Sequence, residues 1–134
     1  MVSLCQLKIS KWEFIKCYTD KFIPIPATYD LIKKLRPKYR IGLLSDTSEW
    51  DFLYGIKPVD IFPLFQFVTL SFLVKSLKPD PKIFYDAVEK SCSDAGTCVY
   101  IDDIKEYADA ATRLGINGVH YTSHEKLVRS LHSL

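Results

Sequence analysis

Three short stretches of this 134-residue chain end in side chains suited to holding a phosphoryl group. IGLLSDT, residues 41–47, ends in two hydroxyls flanking an acid. SLKPDPKIF, residues 76–84, carries an ammonium on a turn. CVYIDD, residues 98–103, ends in adjacent carboxylates. Hydroxyls and an ammonium bind an anion, and a carboxylate pair adds the hard oxygen ligands that suit Mg²⁺, which keeps several waters and takes one or two carboxylates. No residue in the three stretches is an obvious nucleophile.

Each stretch also has a plainer reading. Asp103 before IKEYADAA has the type of a helix N-cap. Lys78 in L-K-P-D-P is kept out of helical geometry by Pro79, so its ammonium sits on a rigid turn; the same pattern serves an ordinary helix entry with a surface lysine. Ser45, Asp46 and Thr47 offer hydroxyls and loose backbone N–H groups to an anion, or form a capping turn.

The elements that must position these residues follow from hydrophobic period. Residues 11–22 place Trp12, Ile15 and Phe22 at helical spacing, with Ser10 and Glu13 forming a capping box. Pro24 and Pro26 interrupt the chain before a helix over 27–35. Strands are expected at 40–45, 65–70, 99–101 and 118–121. Helices are expected at 49–55, 81–91, 106–114 and from Ser123 to about residue 132. Asp80 caps the helix at 81, where Pro81 costs no hydrogen bond, and Gly115 ends the one before the last strand. Short apolar strands alternating with helices imply an α/β fold in three layers, Rossmann-like, with a mainly parallel sheet covered on both faces. Ligands of such sheets bind at the carboxyl ends of strands, which sets Ser45 and the Asp102–Asp103 pair on one edge.

Composition narrows the remaining classes. A net charge of +2 with dispersed basic residues argues against a nucleic-acid partner. The densest basic group, Lys33, Lys34, Arg36, Lys38 and Arg40, reads as a solvated helix end. Four cysteines without a C-x-x-C pair fit a reducing cytoplasm. The first residues lack a signal-peptide pattern, and no apolar run reaches membrane-spanning length. His120, His124 and His132 read as surface positions.

The order of the three stretches is specific. Leu44–Thr47, then K-P-D-P-x-x-F at 78–84, then an apolar strand ending D-D at 102–103 closely resembles the second, third and fourth motifs of the haloacid dehalogenase (HAD) superfamily of hydrolases. The closer branch is the capped, phosphatase-like one. ADAATRLGINGVHYTS resembles that family's last helix and strand, and KISKWEFIKCYTDKF the end of its cap. The likeness spans roughly residues 8–123. It implies the remnant of a helical cap at 1–26 and an α/β core at 27–134. It further implies that Ser45, with Asp46 and Thr47, binds the phosphoryl group of a small phosphorylated substrate or phosphate itself. Lys78 neutralises that group, Asp102 assists or pairs with Lys78, and Asp103 ligates Mg²⁺.

The pattern departs from the family at its first motif. No D-x-D occurs in the sequence, so the family's nucleophile and general acid are missing, together with the strand that carries them. That strand lies centrally in the family, between those leading to Ser45 and Asp103. Two strands would face the gap with unpaired backbone groups. Residues 2–9 alternate partly and are one candidate to fill it; a second chain or a re-registered sheet are others. Self-association or poor solution behaviour is expected. Asp46 stands where Asn is common, and Tyr107 where many phosphatases place a second acid or Asn. The resulting expectation is a HAD-like hydrolase fragment that is inactive alone. A non-catalytic remnant or interaction module is the alternative, and a dehalogenase-type hydrolase is disfavoured by the D-D ending. A receiver domain groups similar residues but puts its acids first and its lysine last, the reverse of the order here.

Overall fold

The computed structural model describes Ser10 and residues 25–134. The expected capping-box helix at 11–22, the candidate strand at 2–9 and nearly all of the cap remnant at 1–26 lie outside the described residues.

Helix α1 (Pro26–Leu35) opens with proline at its first position, where no N–H is required. Strand β1 (Gly42–Ser45) follows. Its successor is a short helix, α2 (Glu49–Asp51), capped by the Ser48 hydroxyl and running into a π-helical turn, Phe52–Ile56. A 3₁₀ turn at Phe62–Leu64 leads to β2 (Phe67–Leu70) and directly into α3 (Ser71–Val74). Helix α4 (Pro81–Ser91) has the expected cap: Asp80 accepts from the Lys82 amide at 2.8 Å. Strand β3 (Val99–Asp102), helix α5 (Lys105–Arg113), strand β4 (Asn117–His120) and helix α6 (His124–His132) complete the order. Helix α3 was not anticipated. Four residues without their own periodicity leave no pattern to read, and the helix ends at Lys75 in the left-handed region (φ 57°).

Both strand pairings are parallel. Strand β1 pairs with β2 in the register Gly42↔Phe67 to Ser45↔Leu70, and β3 with β4 from Val99↔Asn117 to Asp102↔His120. Among the described residues these remain two separate two-stranded sheets, and β1 does not pair with β3. The fold is the expected α/β type with parallel strands.

Helix α4 packs against residues of both sheets. Ile83 and Phe84 are fully buried with Ala110, Ala111 and Ile116, and Leu44 from one sheet and Tyr100 from the other pack against this cluster. The Phe84 and Tyr100 rings meet edge-on, with centroids 5.2 Å apart. Burying a phenylalanine of this kind contributes about 2–3 kcal/mol, so α4 helps hold together two sheets that share no backbone ladder among the described residues. On the far side, α5 lies directly on β4. A Cβ at Gly118 would fall on the Ala108 carbonyl oxygen and the Thr112 hydroxyl, so only glycine permits that approach. Gly115, at φ +83°, supplies the left-handed turn between α5 and β4.

Candidate functional site

Strands β1 and β3 deliver their last residues to the same edge, and the turn before α4 joins them. The Lys78–Pro79 peptide bond is cis. Lys78 is tied from two sides. Its amide donates to Asp46 Oδ1 at 3.0 Å, just beyond β1, and its ammonium donates to Asp102 Oδ2 at 2.9 Å, at the end of β3. The side chains of this ion pair are only 10% and 8% exposed, which makes the contact stronger than an ordinary surface bridge. The Tyr107 ring lies 4.9 Å from the same ammonium nitrogen, within cation–π range.

Asp102 is heavily engaged. Its Oδ2 also accepts from the Tyr100 hydroxyl, and its Oδ1 accepts from the Ile104 amide at 2.9 Å. Burial acts to raise the Asp102 carboxyl. The hydrogen bonds from Tyr100, Ile104 N and Lys78, with the lysine's charge, outweigh it and hold the group below its ordinary value. The Tyr100 phenol moves the opposite way, far above its usual range, through burial first and then through its bond to the Asp102 carboxylate.

The loop after β1 is held in its own way. Ser71 is 5% exposed. Its hydroxyl accepts from the Thr47 amide at 2.8 Å and donates to the Thr47 carbonyl at 2.9 Å. One side chain thus continues the β1–β2 ladder past Ser45 and Leu70. The Thr47 hydroxyl donates to the Ser48 carbonyl at 3.2 Å.

The expected residues therefore divide. Lys78 and Asp102 are in contact, and Asp46 is linked to Lys78 through the latter's main chain. Ser45 is half-buried at the end of β1, and Thr47 is fixed beside it. Asp103 stands apart: it is exposed, and its carboxylate makes no hydrogen bond among the described residues. The helix-cap role weighed for Asp103 is not what is observed, because the residue before α5 is Ile104 and the carboxylate on its amide belongs to Asp102. His120, read as a surface residue, is exposed, yet its Nε2 lies 2.9 Å from the Asp103 carbonyl oxygen.

Two supporting residues escaped the sequence reading. Tyr100 had a signal, since residues two apart on a strand share a face and Tyr100 precedes Asp102 by two. Ser71 had none, because its role depends on the pairing register of β1 with β2.

An open cleft of about 770 Å³ adjoins the site, lined by Asp46, Thr47, Ser48, Asp80 and Lys75 among others. Lys78 and Asp102 are not in its walls. Its acids, Asp46, Asp51 and Asp80, outnumber its single lysine, Lys75. Among the described residues no group of three His, Cys, Asp or Glu side chains is arranged to hold a metal ion.

A family model described as haloacid dehalogenase-like hydrolase matches residues 4–120. Solved structures share the fold. A HAD-family enzyme from Bacteroides thetaiotaomicron, as a mutant in complex with magnesium and inorganic phosphate, is 24% identical with a TM-score of 0.72, over 90% of this chain and 66% of that one. The magnesium complex of the same enzyme is 26% identical with a TM-score of 0.70, over 91% and 64% of the respective chains. A predicted HAD-like hydrolase from Porphyromonas gingivalis gives a TM-score of 0.74 at 20% identity, over 98% and 68%. The chain thus spans about two-thirds of the length of these structures. Among curated proteins no match is found.

Proposed function

The chain belongs to the haloacid dehalogenase-like hydrolase family, and from that premise we propose that it carries the phosphate-binding part of a Mg²⁺-dependent phosphate monoester hydrolase. The observation that carries this reading is the double tether of Lys78, to Asp46 through its amide and to Asp102 through its ammonium. That tether links the Lys78 turn to the loop after β1, which carries Asp46 and Thr47 next to Ser45, and to Asp102 at the end of β3.

In this reading Ser45 and Thr47 hydrogen-bond the phosphoryl oxygens, and Asp46 holds the loop to the Lys78 turn. Lys78 neutralises charge on the transferring group, and Asp102 keeps the ammonium in place. Preorganised charge of this kind is the main source of stabilisation in phosphoryl transfer. The donor set accommodates Mg²⁺ in a limited way. Asp103 is an exposed carboxylate with no other partner among the described residues, and Mg²⁺ binds through as few as one carboxylate with water and substrate phosphate. Asp103 would hold the ion, which when bound supplies further positive charge to the phosphoryl oxygens. The related enzyme crystallised with magnesium and inorganic phosphate supports both ligands.

No D-x-D occurs in the 134 residues, so the nucleophile of the family's phospho-aspartyl step is not among them. A second reading is a HAD-like module that binds phosphate without turning it over. Hydrolysis of p-nitrophenyl phosphate with Mg²⁺ separates the two. Activity abolished by Lys78→Ala and by Asp103→Ala rules out the binding module. Phosphate binding that is lost in Lys78→Ala, without hydrolysis in the parent chain, supports it. Self-association belongs to the same proposal, because β1 and β3 are left unpaired with one another among the described residues. A compact monomer on size-exclusion chromatography rules that part out.

A further inference from the structure

Among the described residues Lys78 has one carboxylate partner, Asp102, so where its ammonium rests depends on what fixes that carboxylate. Asp102 Oδ2 accepts both from the Lys78 ammonium and from the Tyr100 hydroxyl, while Oδ1 is held by the Ile104 amide. Rotation of the carboxylate would break the Tyr100 and Ile104 bonds together. Tyr100 is in turn seated by its ring, edge-on to the fully buried Phe84. A line of support therefore runs from the core through Phe84, Tyr100 and Asp102 to the ammonium. The Tyr107 face at 4.9 Å bounds the ammonium on another side. Without the phenol hydroxyl, Asp102 would keep its backbone contact but lose the second donor on the oxygen that holds Lys78.

We propose that Tyr100 is a positioning residue: its hydroxyl fixes the Asp102 carboxylate and thereby aims the Lys78 ammonium at a bound phosphoryl group. The proposal rests on the anion-site reading given above. Tyr100 itself does not touch the anion. Its ring fills the core and its hydroxyl acts through Asp102.

The test uses the full chain labelled with ¹⁵N-lysine, with inorganic phosphate as the probe. In the parent chain the Lys78 ammonium resonance is expected apart from those of the solvated lysines, and the Tyr100 hydroxyl proton is expected to exchange slowly. Tyr100→Phe keeps the ring and removes only the hydroxyl. It is expected to move the Lys78 resonance toward the solvated lysines and to weaken phosphate binding roughly tenfold, the loss typical of one hydrogen bond to a charged group. A Lys78 resonance unchanged in Tyr100→Phe overturns the proposal, and so does a rapidly exchanging Tyr100 hydroxyl in the parent chain. The second measurement needs no variant, so the proposal stays testable if Tyr100→Phe does not fold. Lys78→Ala separates this claim from the reading beneath it. If Lys78→Ala leaves phosphate affinity unchanged, the anion-site reading fails and the Tyr100 claim is decided by the two resonances alone.

Discussion

Lys78 Nζ and Asp102 Oδ2 stand 2.9 Å apart, joining the turn before α4 to the end of β3. Among the described residues no backbone ladder links β1 to β3, and there this pair and the α4 core connect the two at the site edge. The pair is nearly buried, and removing one member leaves the other charge without its partner. Asp102→Ala is expected to destabilise the chain by about 2–3 kcal/mol, toward the low end for a broken buried pair because water still reaches the site. Urea denaturation at neutral pH measures this. A loss below about 0.5 kcal/mol, the scale of a surface pair, would mean the contact holds nothing together.

The same pair sets a pH dependence. Asp102 is held below its ordinary value of 3.8. A carboxyl depressed on folding adds stability that is fully present above its unfolded pKa and is lost as the pH falls through its folded pKa. Tyr100 is raised above its ordinary 10.0. Its contribution is complete below that value and declines as the pH climbs past it. Stability is thus expected to be level through neutral pH and to fall below about pH 4 and above about pH 10. Thermal denaturation across this range, with Asp102→Asn and Tyr100→Phe alongside, is the check. Each variant should flatten one limb: Asp102→Asn the acid one and Tyr100→Phe the alkaline one.

Much of this was legible in the sequence where one short pattern determined one element. Helix α4 runs over the expected residues because Asp80 and Pro81 start it and the apolar period sustains it. Strand β3 ends at the acid pair as expected, and the Lys78–Asp102 contact was among the anticipated pairings. The features that eluded reading depend on tertiary register. Ser71 has no local signature, because it acts on Thr47 only once β1 and β2 are aligned. Assigning the Ile104 amide to Asp102 and not Asp103 turns on where β3 stops, and one residue exchanges cap and solvent. Arg36 and Arg40 were placed on a solvated face by charge alone. Yet the Arg36 side chain donates to the Leu64 carbonyl at 3.0 Å, and that of Arg40 to the Lys90 carbonyl at 3.3 Å.

Ser71→Ala tests the loop that presents Ser45 and Thr47. The substitution removes a hydroxyl that both donates to and accepts from the Thr47 main chain. It leaves two part-buried backbone groups unpaired at little cost in volume. A loss of about 2 kcal/mol is expected, from the price of two unsatisfied groups less what water recovers. Amide exchange at Thr47 should quicken, while amides in α5 stay as protected as before. Unchanged exchange at Thr47 would show that the loop is held by other contacts.

Two glycines with opposite surroundings give the sharpest packing test. At Gly118 an added Cβ meets the Ala108 carbonyl oxygen and the Thr112 hydroxyl, whereas at Gly96 it meets nothing within 4 Å. Neither has a positive φ, so steric contact alone distinguishes them. Helix α5 cannot rise from β4 without disturbing Ala110 and Ala111, which sit in the core with Ile83 and Phe84. Gly118→Ala is therefore expected to cost about 3 kcal/mol, the upper range for overpacking. Gly96→Ala should fall within about 0.5 kcal/mol of the parent chain, as for an ordinary surface change. Parallel thermal melts report both. Equal effects at the two positions would mean that α5 does not pack on β4 as closely as Gly118 requires.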